Sequence, residues 1–549
     1  MIYVAAVLVV VTLVAMASGR VDPLVALVAA LVLAGVLDLA SPEALAAGLS
    51  NAGVITVAAM LVIARGIVQT GVVARVTWAL LSSTHSARGA LGRLSLPIGV
   101  ASALMNTTPL VAMLIPAARQ LEQTRRIPAR EVLLPIAHIT TLAGSVTLIG
   151  TSSNLVIAGL AGERGVDVSM FSFAVVALPV ALVGAVIIFL TAGRALRGAS
   201  VDAVEAKHWR VEIPISASAL AVERRASDLG LTHTRDYELT AIQRWGTTVA
   251  PDTPIEPDDV LVFAATETGV SALWQVPLFG LSSHRLYAAS VSAGEGATLH
   301  DFERDGAVRI IAARTEDPLH ETHLSAGETC FVAADDPGAI TRNPVVALWQ
   351  DAANRAPQPG KTGVALAILA GVIVAASFGL TPAELAASGG AILMVLTGVL
   401  SPRTAAHALQ PKVLALLAGS IGLGAIVVGS GLADTIADAI SDAGGGRLTT
   451  LIVLAVTTTV MTNLVTNAAT ASILTPVAIT VAADLGVDPV TVLALVGTCV
   501  SLTLLNPLSH QSNVMVMRPG NYTGAVFARF GAPILVGCLI TGCAVAYAA

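Results

Sequence analysis

The chain has 549 residues, of which 55% are apolar and only 12% charged, with a mean hydropathy of +0.80. Soluble globular proteins carry about 25% charged residues, so this balance excludes an ordinary soluble domain. The net charge of -6 comes without a basic patch, which excludes a nucleic-acid binder. Cys330, Cys499, Cys538 and Cys543 are scattered, with neither metal-ligand spacing nor a disulfide framework.

Nearly uncharged apolar stretches, read as membrane helices, begin at once, over residues 2–17, 23–37 and 54–70. Ala15-Met16-Ala17 looks like a signal-peptidase site, but no Lys or Arg precedes the apolar run, so the first segment is expected to be retained. A longer segment, 92–122, is broken by Asn106-Thr107-Thr108-Pro109. A polar break of this kind predicts a re-entrant hairpin, because non-helical backbone survives at membrane depth only where it lines a protein cavity. The next segment is interrupted by Gly150-Thr151-Ser152-Ser153-Asn154, and residues 171–190 close the first half.

Between residues 201 and 355 the hydrophobic pattern gives way to charge, His and short alternating runs. Residues 260–264, 309–312 and 329–333 read as strands. A soluble α+β insert is expected, made of two similar subdomains, 201–280 and 281–355. It has no GxGxxG after a strand, so no dinucleotide site is expected. Apolar segments resume at 363–380 and 413–428. A second broken segment, 449–483, carries Thr462-Asn463 and Thr466-Asn467, and Ser509-His510-Gln511-Ser512-Asn513 interrupts the next. Residues 533–548 complete the chain.

The flanking regions, 1–200 and 356–549, look alike. Asn106-Thr107-Thr108, Pro116, Pro128 and Ser153-Asn154 recur as Asn467-Ala468-Ala469, Pro476, Pro489 and Ser512-Asn513. Ser41-Pro42 loosely matches Thr381-Pro382. The predicted fold is therefore an α-helical membrane protein of two repeats, each with five transmembrane helices and one re-entrant hairpin. Five is odd, so the second repeat is inverted. A cytoplasmic insert puts Arg20, Arg75, Arg88, Arg93, Arg119, Arg125, Arg126, Arg130, Arg194, Arg197, Lys361, Arg403, Lys412, Arg518 and Arg529 inside, and both termini outside. The outer loops near 38–52, 381–384, 431–447 and 484–489 then hold only Arg447, in keeping with the positive-inside rule. The expected location is the inner (plasma) membrane, in contact with lipid.

Broken helices in inverted repeats meet near the midplane and form substrate and ion sites. The four Asn-containing clusters supply neutral oxygens suited to sodium and polar groups suited to an anion. No Asp or Glu falls near the middle of a predicted span, which disfavours a proton antiporter. His138 is expected to be a hydrogen-bonded structural residue, while His510 lies in a site cluster. No nucleophile–base set, metal cluster or phosphate loop is visible, so neither an enzyme nor an organic cofactor is expected.

Residues 106–116 and Leu148-Ile149-Gly150-Thr151-Ser152-Ser153-Asn154-Leu155 resemble the divalent anion:sodium symporter family of the ion-transporter superfamily. The likeness is to its sulfate-permease-like branch, whose paired TrkA C-terminal-type domains the insert resembles. Thr462–Asn467, Gln511-Ser512-Asn513 and Pro519-Gly520-Asn521-Tyr522 fit the same branch. The resemblance implies a homodimer that takes up an anion with Na+ by an elevator movement. It implies sodium ligands at Asn106, Gly150, Thr151 and Asn154, and at Asn467, Ser509 and Asn513. It implies anion contacts at Thr107, Thr108 and Thr466; Ser153, His510 and Ser512, in the same polar clusters, are expected to contact the anion as well. Sulfate or a similar small divalent anion is the expected cargo; dicarboxylates, sulfonates and arsenite-type oxyanions suit the same site. A small ligand on the insert would regulate transport, and a membrane sensor signalling through the insert is the reading from another class.

Overall fold

The computed structural model describes the chain apart from residues 18–20, 73–75, 78, 79, 81–83, 85, 106, 108, 109, 112, 113, 116, 117, 119–126, 198–208, 218, 233–235, 275–278, 280–284, 292–296, 304, 305, 326, 327, 335, 336, 352–358 and 518. It comprises two compact units: Met1–Ser200 with Pro357–Ala549, and Val201–Ala356.

In the first unit, helices α1 (Ile2–Ala17), α2 (Pro23–Val36), α3 (Pro42–Ala46), α4 (Ala52–Gln69), α5 (Ala87–Leu104), α6 (Arg130–Gly144), α7 (Ser152–Gly162) and α8 (Ala174–Ala195) precede the insert. Their starts at 2, 23, 42, 52, 87, 130 and 152 recur after it at 362, 383, 402, 411, 447, 489 and 511, an offset of 359 or 360. The later helices of the unit are Thr362–Ser377, Ala383–Leu396, Pro402–Ala408, Pro411–Gly429, Leu432–Gly444, Arg447–Leu464, Asn467–Leu485, Pro489–Val500, Gln511–Met517 and Gly524–Ala548. Local chemistry sets many of these starts. Asp22, Ser41, Ser401 and Asp488 each cap the helix that follows with a side-chain oxygen, and each is followed by a proline in the first turn. The seven-residue helix behind Ser401-Pro402 is the counterpart of α3, so the sequence match of Ser41-Pro42 to Thr381-Pro382 is corrected: Pro382 opens a 14-residue helix instead.

Six helical segments among the described residues are long and apolar enough to span a bilayer, and the chain is a multi-pass membrane protein. Val7, Val10, Val14, Val25, Val32, Leu182, Val186 and Ile540 are exposed, a girdle that water would not tolerate and lipid accepts. Inside the unit, small residues let backbones meet: a Cβ on Gly48 would sit 2.1 Å from Ala418 O. Pro135 removes a helical N–H from α6. One turn earlier the Tyr522 hydroxyl inserts into the ladder, accepting from Leu134 N–H at 3.0 Å and donating to Arg130 O.

The insert is built on one antiparallel eight-stranded sheet. Its strands are β1 (Trp209–Pro214), β2 (Tyr237–Arg244), β3 (Thr247–Val249), β4 (Val260–Ala265), β5 (Arg285–Val291), β7 (Val308–Ala313), β9 (Thr329–Ala334) and β10 (Val346–Asp351), with Ala297–Thr298 (β6) and His323–Leu324 (β8) as a separate ribbon. The order is β10-β5-β9-β7-β1-β4-β2-β3. The stretches 201–280 and 281–355 thus share a ladder, joined where Arg210 and Val211 pair with Ala313 and Ala312. The expected junction near 280 lies largely outside the described residues.

One buried ion pair holds the first stretch together. Arg244 forks onto Asp259, Nε to Oδ1 at 2.9 Å and Nη2 to Oδ2 at 2.8 Å, and reaches Glu256 at 2.6 Å. Asp259 is 1% exposed. Burial pushes its carboxyl up, but the hydrogen bonds from Arg244 and Glu256 N–H outweigh that and hold it below the ordinary value. Its stabilisation is therefore present above the unfolded value of about 4 and lost as pH falls through the lower folded value. Amide exchange in β2 and β4 is expected to accelerate selectively in acid, and Asp259→Asn to cost about 3 kcal/mol at pH 7. Unchanged exchange in the variant would refute this account.

Candidate functional site

In each half of the membrane unit a pair of helices meets at a tight tip, and the tip docks on a break in another helix. In the first half α5 stops at Leu104, Met105 is extended and buried, and Thr107 is already helical. In the second, Arg447–Leu464 and Asn467–Leu485 are separated by two residues, with Thr466 Oγ1 capping the later helix through Ala469 N–H at 3.3 Å. The docking breaks are residues 145–151, between α6 and α7, and 501–510, between Pro489–Val500 and Gln511–Met517.

The two docks use matching bonds. Ser102 Oγ–H donates to Thr140 O at 2.7 Å, and Thr462 Oγ1–H to Val500 O at 2.7 Å, both over 38 residues. Thr147 donates to Ala103 O, while Asn506 Nδ2 donates to Asn463 O at 3.2 Å. Asn154 Nδ2 closes the first break by donating to Ser145 O and Thr147 O, each at 2.9 Å. Asn513 Nδ2 closes the second on Thr503 O at 2.7 Å and Asn506 O at 3.5 Å. Asn463 reinforces it by donating to Leu502 O at 3.0 Å.

This geometry distinguishes hydroxyls that can give a proton from those that can only receive. Ser102 spends its single proton on Thr140 O, so in its 3.2 Å contact with Thr107 the Thr107 hydroxyl donates. Thr107 is left with oxygen lone pairs, a better partner for a cation than for an anion. Thr462 lies 3.0 Å from Asn467 Oδ1 but also has one proton for two acceptors, so Asn467 keeps acceptor capacity. His510 Nδ1 accepts from Ser512 N–H at 3.2 Å and lies 2.5 Å from Ser512 Oγ, which must then donate too. The neutral ring therefore carries its proton on Nε2. Asn154 and Asn513 are fully buried, and the Oδ1 of each has no hydrogen-bond partner among the described residues; nor has Thr503 Oγ1.

Of the residues expected from sequence, Gly150, Thr151, Ser153 and Asn154 gather at the first break, with Thr151 Oγ1 3.0 Å from Ser153 Oγ. Thr466, Asn467, Ser509, His510, Ser512 and Asn513 gather at the second, where Ser509 Oγ is 3.4 Å from Asn463 O. Asn106 and Thr108 lie outside the described residues. Two expectations are corrected. By their hydrogen bonds Thr107 and Asn467 hold equivalent places in the two halves, each meeting the hydroxyl five residues before it. The sequence match at the tips was therefore one residue out, although Pro116 and Pro476 already carried the right offset. His138 is not hydrogen-bonded: its ring is stacked on Phe530 and edge-on to Phe527, and neither nitrogen has a partner among the described residues.

Ser102 and Thr147 were missed, and Asn463 and Asn506 were given no role. The only sequence signal for Ser102 is Thr462 at the same 360-residue offset, which is weak because Ser and Thr are common in membrane helices. Among the described residues, no three His, Cys, Asp or Glu side chains gather. The arrangement offers neutral oxygens and a few fixed donors, which suits binding and release rather than covalent chemistry.

Comparisons with known proteins agree with that character. The chain is 27% identical over 488 residues to an uncharacterized transporter of Synechocystis sp., covering 80% of this chain and 79% of the relative. It is 32% identical over 193 residues to sodium/sulfate cotransporter 1 of Chlamydomonas reinhardtii, 33% of this chain and 22% of that protein. Sodium/sulfate cotransporter 2 of the same alga matches at 31% over 202 residues, 35% and 22% of the two chains. The family model for CitMHS, citrate transporter, matches residues 7–499. The chain therefore belongs to the CitMHS citrate transporter family of the ion-transporter superfamily.

Proposed function

We propose that this protein is a sodium-coupled symporter for sulfate or a similar small divalent anion. The observation that carries the reading is the pair of matched helix breaks, each closed by a buried Asn whose amide oxygen has no hydrogen-bond partner among the described residues. A buried acceptor of that kind costs about 1–3 kcal/mol unless a donor or cation meets it. Sodium meets it without a titrating group. Thr107, Gly150, Thr151 and Asn154, with Asn106, form one sodium site; Asn467, Ser509 and Asn513 form the other. Thr108, Ser153, Thr466 and His510 surround the anion between them; Ser512, expected there too, gives its proton to His510 and so orients the ring, and His510 Nε2–H is the best-defined donor.

The constant helix offset supports two repeats of five crossings and a re-entrant hairpin, inverted by the odd number. The tips bond to carbonyls inside broken helices, as expected of hairpins that end in the protein interior. The charge asymmetry favours a cytoplasmic insert and a plasma-membrane location, with Arg164 and Arg447 as the outer exceptions. The insert, read as paired TrkA C-terminal-type domains, binds a small regulatory ligand. The protein works as a homodimer with an elevator movement of the hairpin-bearing part. A carboxylate cargo is the second reading, favoured by the family's description as citrate transporters.

In proteoliposomes, uptake of labelled sulfate is expected to require an inward sodium gradient and to resist excess citrate. Uptake indifferent to sodium would remove the coupling. Inhibition by citrate with no sulfate uptake would transfer the reading to a carboxylate.

A further inference from the structure

His138 stands in the middle of α6, 0% exposed. A neutral imidazole has one N–H to give and one bare nitrogen to fill, and here neither has a partner among the described residues. Leaving both unmet costs about 1–3 kcal/mol each. Packing alone would be served better by Phe. The ring is nevertheless held firmly, stacked on Phe530 at 5.6 Å with planes 13° apart and edge-on to Phe527 at 6.1 Å.

Its surroundings point to a ligand. Two residues on, Thr140 O receives the bond from Ser102 that docks the first tip. The short helix Gln511–Met517 packs on α6, and His510 comes immediately before it. His510 thus stands at the end of an element that rests on the helix carrying His138. Its Nδ1 is occupied by Ser512, which fixes its proton on Nε2. Two imidazoles, one from each half of the chain, thus sit on packed elements beside the docked tips.

We propose that His138 and His510 are paired donors of the anion site, each giving one ring N–H to the same oxyanion. This rests on the transport reading above and extends it: the cargo is recognised by neutral nitrogen donors, without Lys or Arg. It also makes the anion a bridge between the halves, since α6 and the Ser509–Asn513 cluster belong to different ones. His138→Phe keeps the aromatic stack and removes the donor.

The test is equilibrium binding of labelled sulfate, and in parallel labelled citrate, to the purified full-length protein in saturating sodium. His138→Phe is expected to weaken anion binding about 10- to 100-fold. The rise in melting temperature caused by sodium alone should be unchanged. His138→Gln, which restores an N–H, should recover part of the affinity, and it serves as the test variant if the Phe protein does not fold. Wild-type affinity in either variant overturns the proposal and leaves the transport reading standing. A wild-type protein that binds neither anion overturns both.

Discussion

Gly150→Ala is expected to abolish transport. A Cβ at this position would lie 2.3 Å from Gly144 O and 3.0 Å from Ala103 O. Both obstacles are backbone, and neither can swing aside. Gly144 is itself crowded, since a Cβ there would meet Thr107 Oγ1 at 3.0 Å and Gly150 O at 3.2 Å. Relief therefore requires the break at 145–151 to withdraw from the tip, which parts Thr147 from Ala103 O and moves Thr107. Overpacking of this kind costs about 1–3 kcal/mol of stability, and displacing a binding constellation by about 1 Å costs about 100-fold in rate. Gly162→Ala is the control, because nothing lies within 4 Å of the added methyl. Initial uptake rates in proteoliposomes, read beside melting temperatures, decide the matter. A Gly150→Ala protein that transports at the wild-type rate would show that the break does not hold the site.

Asn513→Leu should have an effect of similar size by another route. The amide does two jobs. Its N–H groups tie down Thr503 O and Asn506 O across the break, and its buried oxygen is free to meet a cation. Leu fills the space and does neither. Losing the donors leaves Thr503 O unmet at about 1–3 kcal/mol, while Asn506 O keeps the bond from Ser509 N–H at 3.2 Å, and losing the oxygen removes a sodium ligand. Sodium-stimulated uptake is expected to fall at least about 100-fold. Asn513→Asp separates the jobs: it keeps an oxygen for the cation but gives up the N–H donors. Sodium should still raise its melting temperature, whereas the Leu variant should show no such rise. A full sodium-induced rise in Asn513→Leu would dismiss the ligand assignment. Asn154→Leu is expected to behave alike at the first break, where Asn154 Oδ1 faces the backbone near Gly497, 2.9 Å from where a Cβ would stand.

Much of the site was legible because polar residues are costly in membrane helices and therefore conspicuous. Asn154, Ser512 and Asn513 stood out against apolar neighbours, and the structure buries all three. The roles of individual hydroxyls were not legible. Thr107 looks in sequence like any anion-facing threonine; only the bond from Ser102 to Thr140 O, 38 residues away, forces its proton inward. Ser102 itself was invisible for the same reason, since its partner is a carbonyl with no sequence signature. His138 illustrates the opposite error. A lone His in an apolar helix is usually hydrogen-bonded, but Phe527 and Phe530 pack its faces without offering a polar partner.

By itself the sequence determined that the chain lies in a membrane, that a soluble insert divides it, and where the helices break. Each of these follows from local hydropathy and from the cost of unpaired backbone in lipid. The tertiary structure decided what pairs with what. It set the equivalence of Thr107 and Asn467, the fixed proton of His510 and the joining of the insert's strands into one sheet through Arg210 and Val211. These depend on hydrogen bonds between residues distant in the chain, whose geometry exists only once the helices and strands have packed.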